Sequence, residues 1–178
     1  IAETEGLIEA IAKLINEPIS PRTTKASLVA AYYLVSSSSQ AISRFVDLGL
    51  VSLLLEIVVD AEKSICEKAL GVLNGILSNE KGREMAYVHA LTMPVLVKKI
   101  LRVSDMATKF AVSALWKLCK NCDEEKRRSL AEAALSVGAF QKLLLLLQLG
   151  CSEGSRERAS ELLKMLNAWR GKEFGSCV

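Results

Sequence analysis

Residues 51–59 read VSLLLEIVV, and Val51, Leu54, Leu55, Val58 and Val59 recur there at i, i+3, i+4, i+7 and i+8. That spacing is one apolar face of an α-helix. Asp60-Ala61-Glu62-Lys63 breaks the run, and from about Ser64 a longer helix repeats the same offsets with Ala69, Val72, Leu73, Ile76 and Leu77. Working outward, three further runs match the first: residues 7–15 (LIEAIAKLI), 93–101 (MPVLVKKIL) and 140–149 (FQKLLLLLQL). Their openers Leu7, Val51, Met93 and Phe140 lie 44, 42 and 47 residues apart, and a small residue (Ala26, Ala69, Ala111 or Ala159) follows each by 18 or 19. Every such alanine opens a long-helix pattern. The other copies are Ala26, Val29, Ala30, Tyr33 and Leu34; Ala111, Ala114, Leu115, Leu118 and Cys119; and Ala159, Leu162, Leu163 and Leu166. A short third helix is expected at residues 40–48, 81–91 and 124–137. Two anchors in phase over four copies, with a period in the forties, predict an all-α fold: a right-handed α-α superhelix of about four repeats, filling residues 1–171.

Punctuation agrees with this division. Ser20-Pro21 is a capping residue followed by proline at the first helical position, and Asp105, Asp123 and Ser155 are plausible helix starts. Gly49 and Gly138 sit two residues before Val51 and Phe140, where a tight turn calls for positive φ. The matching places hold Leu91 and Glu5, with Gly6 beside it, so the turn chemistry repeats only in part. After Trp169-Arg170-Gly171 a polar tail is expected at 172–178. The polar face Arg156, Glu157, Glu161 and Lys164 suits a terminal capping repeat. Residues 1–15 begin inside a unit, without a methionine, so further repeats and domains are expected upstream.

Composition narrows the function. The 51% hydrophobic and 5% aromatic content suits stacked helices packed through Leu, Val and Ala. A net charge of +3, with Lys126, Arg127 and Arg128 directly following Asp123, Glu124 and Glu125, lacks the basic stripe of a nucleic-acid binder. No apolar run reaches the roughly 18 residues that span a bilayer, and no basic-then-apolar leader is present, so we expect a soluble chain without a membrane span. Five cysteines at irregular spacing (Cys66, Cys119, Cys122, Cys151, Cys177) point to free thiols in a reducing compartment, cytoplasm or nucleus.

The unit ordered as short, middle and long helix, with a Gly-x-hydrophobic turn before the middle one and Ala-x-x-Ala/Val-Leu/Ala in the long one, resembles the armadillo repeat over nearly the whole chain. AVSALWKLCKN (residues 111–121), KALGVLNGILSN (68–79) and RASELLKMLNAWR (158–170) are similar to the C-terminal armadillo region of plant U-box ubiquitin-protein ligases. The resemblance implies a region that recognises a protein partner or ubiquitination substrate in plant immune or stress signalling. It also implies an upstream U-box, absent from this chain, that engages the ubiquitin-conjugating enzyme, so no catalytic residue is carried over. The alternative is a non-catalytic armadillo scaffold or adaptor. Nuclear import adaptors share the repeat, but they place Trp two and Asn six residues after the first alanine. Here those places hold Leu28, Gly71, Ser113 and Glu161, then Tyr32, Gly75, Lys117 and Met165. Lys117 would also repel a basic signal peptide.

Chemistry-bearing residues are sparse. Cys119-Lys120-Asn121-Cys122 is a C-x-x-C, but a zinc site needs four ligands, no second pair exists, and His89 is the only histidine. There is no phosphate loop and no nucleophile elbow, so we expect neither cofactor, metal nor catalysis in this chain. The long helices are expected to line a shallow partner-binding groove carrying Tyr32, Asn74, Trp116, Lys117, Lys120 and Lys164. Trp116, one position past the core leucine Leu115, has two readings: packing between the third and fourth repeats, or an anchor at the groove edge. Lysines near a helix C-terminus also simply favour its dipole. The Lys126-Arg127-Arg128 run reads as a solvated face.

Overall fold

The structure, a computed structural model, describes the backbone of residues 2–173 and the side chains of residues 6–170. Among the described residues there are eleven α-helices and no strand, grouped into two compact units at residues 1–91 and 92–178. The first unit holds α1 (Ala2–Asn16), α2 (Pro21–Ser37), α3 (Ser39–Asp47), α4 (Leu50–Asp60), α5 (Lys63–Ile76) and α6 (Glu80–Val88). The second holds α7 (Thr92–Lys99), α8 (Asp105–Lys120), α9 (Glu124–Ser136), α10 (Ala139–Leu149) and α11 (Glu153–Glu173).

Local chemistry sets these boundaries. Ser20 caps α2, its Oγ accepting from the Thr23 N–H at 3.2 Å, with Pro21 at the first helical position. Ser38 caps α3 and Ser104 caps α8, accepting from the N–H groups of Ala41 and Ala107. Asn79 and Asp123 do the same for α6 and α9. Each satisfies a backbone donor that a helix N-terminus otherwise leaves orphaned. Gly49 and Gly138, at φ 76° and 80°, turn the chain into α4 and α10. The third copy makes its reversal differently. α7 ends at Lys99, two residues short of the expected run, and Leu101 adopts φ 60°, its N–H held by Thr108 Oγ1 at 3.0 Å.

In the first unit the long helices α2 and α5 pack together, with α1 against α2, α4 against α5, and α3 and α6 closing one side. Phe45, Leu54, Leu55, Leu70, Leu73 and Ile76 are fully buried there. Each such side chain contributes about 1.5–3 kcal/mol of burial. Gly75 permits the close approach, since a Cβ there would lie 2.5 Å from Cγ2 of Val35. In the second unit α8 and α11 are the paired long helices, flanked by α7, α9 and α10.

Three expectations need correction. The first copy is one residue out of phase. Leu7 is 51% exposed, whereas Ile8, Ile11, Ala12 and Ile15 form the buried face of α1. In α2, Ala26 and Tyr33 are exposed, and Ser27, Leu28, Ala31 and Val35 face inward. The helical period holds, but its origin is Ser27 and not Ala26, because Ser27, equally small, fills the buried slot. In α10 the buried face is Ala139, Leu143 and Leu146, with Phe140 half-buried beneath the Arg170 guanidinium at 4.6 Å. At the C-terminus α11 starts at Glu153, not Ser155, and runs through Gly171 to Glu173. It thereby takes up the first two residues of the expected tail, and 174–178, with Cys177, lie outside the described residues.

Candidate functional site

The Ser27 origin has a consequence for the long helices. Tyr32, Asn74, Trp116 and Lys164 now occupy one register position, five residues after Ser27, Ala69, Ala111 and Ala159. The import-adaptor positions become Val29, Gly71, Ser113 and Glu161, then Tyr33, Gly75, Lys117 and Met165, still without a Trp or Asn ladder.

In the first unit Tyr32 is half-buried on α2 and meets Tyr33 edge to face, ring centroids 6.0 Å apart. Tyr33 is the more exposed of the two, at 68%. Asn74 is half-buried on α5.

In the second unit the structure gathers a site around Trp116. Its indole Nε1 donates to Glu161 Oε2 on α11 at 2.6 Å, a charge-assisted bond joining the long helices of the third and fourth copies. Lys120 Nζ lies 4.2 Å from the ring centroid, and the Arg158 guanidinium 5.5 Å from it. Both distances fall within cation–π range. Beside the ring is an open cavity of about 270 Å³ lined by Trp116, Cys119, Lys120, Arg127, Glu161, Leu162 and Met165. The packing reading of Trp116 holds, since the ring bridges two long helices, and the half-buried ring also lines the cavity. Lys117 is half-buried beside it, and Lys164 is exposed one helical turn beyond Glu161. A second cavity, about 360 Å³, lies by the N-terminus of α8 between Asp105, Met106, Lys109, Leu146 and Cys151, and gathers no comparable set of cations.

Three contributors were not singled out from sequence. Glu161 was assigned to a solvated outer face; it is exposed but tied to Trp116. Arg158 lies just before Ala159 on α11. Arg127 departs from the solvated face expected of its run. It is half-buried, with Nε and Nη2 donating to the Cys119 and Cys122 carbonyls at 3.3 and 3.0 Å. Of its neighbours, Arg128 is exposed and pairs with Glu132, while Lys126 is half-buried and pairs with Asp123. Arg83 repeats the same device on α6, Nη1 donating to the carbonyls of Leu77 and Ser78 at the end of α5. Both arginines stand four residues after the cap of a short helix, Asn79 or Asp123, and that recurrence was the available signal.

The cysteines are free thiols where described: Cys66 and Cys119 buried, Cys122 and Cys151 half-buried. Burial pushes the Cys119 thiol up to about 12, with Cys122 adding to the rise and Arg127 opposing it. Cys122 Sγ donates to the Cys119 carbonyl at 3.2 Å. His89 terminates α6, its Nδ1 accepting from the Leu91 N–H.

Short, middle and long helices in repeating order define an armadillo-type fold, and comparison with solved structures agrees. An engineered protein superposes with a TM-score of 0.74 at 23% identity, over 93% of this chain and 41% of its own. A designed armadillo repeat protein in complex with the peptide (KR)4 gives 0.68 at 20%, over 91% and 63%. Residues 1–176 match the plant U-box protein ARM repeat region, and the chain belongs to that family. It is 45% identical over 177 residues to U-box domain-containing protein 21 of Arabidopsis thaliana, covering 99% of this chain and 40% of that protein. It is 42% identical over 167 residues to U-box domain-containing protein 20 of the same plant, covering 94% and 37%. The chain thus spans about two fifths of the length of these relatives.

Proposed function

We propose that this chain is the partner-recognition region of a U-box ubiquitin-protein ligase, acting in plant immune or stress signalling in the cytoplasm, with access to the nucleus. The observation that carries the reading is the Trp116 site: an aromatic ring fixed between two long helices, ringed by cations and open to a groove. Aromatic and long cationic side chains on a rigid support are what binding hot spots are made of, because little entropy is lost when the partner docks. The proposed contact residues are Trp116, Lys117, Lys120 and Lys164 in the second unit; in the first, Tyr32 and Asn74 hold the corresponding register on their own helices. The family supports the ligase assignment. A U-box elsewhere in the full-length protein would bring the conjugating enzyme to the held substrate, and ubiquitin transfer would follow from proximity. The (KR)4 peptide of the designed armadillo protein is a poor guide to the ligand, since Lys120, Arg127 and Arg158 would repel a basic segment.

The test is reconstitution of the full-length protein with activating enzyme, conjugating enzyme and ubiquitin. We expect ubiquitin chains on the ligase itself, and substrate modification that disappears when this region is exchanged for an unrelated solenoid while self-modification persists. A full-length protein that forms no ubiquitin conjugates would leave the adaptor reading in its place.

A further inference from the structure

We propose that the Trp116 cavity receives an acidic side chain from a short segment of the partner protein, an Asp or Glu beside an apolar residue. This rests on the reading of the region as a protein-binding module and specifies what it binds. The second unit concentrates cations here in excess of the single lining carboxylate, Glu161. Lys120 and Arg158 lie against the Trp116 ring, and among the described residues neither has an ion-pair partner. By contrast Arg44, Lys68, Lys81 and Arg128 pair with Glu9, Glu67, Asp47 and Glu132. Arg127 is anchored by neutral carbonyls, so its position is fixed while its charge stays uncompensated. Glu161, the one carboxylate lining the cavity, is engaged by the indole N–H.

Leu162, buried, and Met165, half-buried, supply an apolar wall beside those charges. A carboxylate entering the cavity would replace water around Lys120 and Arg127, with the Arg158 guanidinium held nearby against the Trp116 ring, while an adjacent apolar side chain covers Leu162 and Met165. A lysine there would meet the like charges of Lys120 and Arg127, and a neutral side chain would leave them unmatched. A nucleic-acid strand fits less well, because Asp123, Glu124 and Glu125 stand at the entry to α9 and would repel a phosphodiester backbone.

The inference is tested by selecting a random-peptide library against the chain, then measuring enriched peptides by fluorescence polarisation. Enriched sequences are expected to share Asp or Glu next to an apolar residue, and to bind at least about tenfold more weakly when the acid becomes Asn or Gln. Lys120→Glu with Arg158→Glu should abolish binding of the acidic peptide, and a peptide carrying Lys in place of the acid should bind that variant. Recovery through charge exchange separates a lost contact from a misfolded protein. Neutral or basic winners, capture untouched by the double variant, or an oligonucleotide binding as tightly as the best peptide would each overturn the acidic-segment inference. Peptides of another chemistry held at Trp116 would leave the protein-recognition reading standing, whereas a library that yields no binder counts against both.

Discussion

Trp116 joins two long helices and also borders an open cavity. Its N–H is committed to Glu161 while its π-face meets Lys120 and Arg158. Trp116→Phe keeps a ring for the cations but removes the donor, and the site's partial exposure limits the cost to about 1 kcal/mol. For a chain of this length that is roughly 2–4 °C in melting temperature. In a double-mutant cycle with Glu161→Ala, coupling of about 0.5–1 kcal/mol is expected; strictly additive losses would show that the indole bond contributes nothing. Cys119 offers a pH-dependent counterpart. Its folded value, about 12, stands above the ordinary 9.0 because burial favours the neutral thiol. The stabilisation is therefore complete below pH 9 and is lost as pH rises, because the unfolded chain ionises first. By pH 10.5 the loss is roughly 2 kcal/mol, and the stability profile of Cys119→Ala, measured by urea unfolding, should lack that component. Identical alkaline slopes in the two proteins would refute the assignment. Sequence exposed Trp116 and Lys120 as chemistry but missed Arg158 and Glu161, because their role depends on which turn of α11 faces α8.

The elements themselves were largely readable. Caps at Ser20 and Asp123 and positive φ at Gly49 and Gly138 follow from local sequence, since each satisfies a backbone demand within a few residues. Phase is different. Ala26 and Ser27 are both small, and only the inward-facing Leu28, Ala31 and Val35 decide between them. A helix places its buried stripe by tertiary contact, so a one-residue error leaves periodicity intact and rotates every assignment by about 100°. The glycines separate two kinds of cost. At Gly49 a Cβ meets nothing within 4 Å, so Gly49→Ala carries only left-handed backbone strain, about 1–2 kcal/mol. At Gly82 a Cβ would lie 2.7 Å from the Ile76 carbonyl oxygen and 2.9 Å from its Cγ2, forcing α6 away from α5. Gly82→Ala should therefore cost about 1–3 kcal/mol despite its better helix propensity. Thermal melts of both variants decide it, and a stabilised Gly82→Ala would mean that α6 shifts without penalty. Ser104→Ala, which removes the Ala107 cap, is expected to cost about 1 kcal/mol on the same assay.

Across the whole molecule, burial is uneven. In α5 eight residues are buried, Ile65, Cys66, Ala69, Leu70, Gly71, Val72, Leu73 and Ile76, and in α8 nine are, from Ala107 to Cys119. α10 buries only Ala139, Leu143 and Leu146 and leaves Leu144, Leu145 and Leu149 exposed. In α1 the described side chains place only Ile8, Ile11, Ala12 and Ile15 in the core. Repeat proteins gain stability from contacts between adjacent elements, so helices with fewer buried partners open at lower free energy than those enclosed on several sides. Each kcal/mol of difference in opening free energy changes amide exchange about fivefold, which makes the gradient measurable well before global unfolding. Hydrogen exchange read by mass spectrometry should therefore find α5 and α8 slowest within their respective units, with α1 and α10 markedly faster. Because α8 carries Trp116 and Lys120, the residues proposed for recognition would sit on a helix that stays closed, with the ring already in place for a partner. Exchange in α8 as fast as in α10 would remove that preorganisation and require the Trp116 site to be assembled on binding.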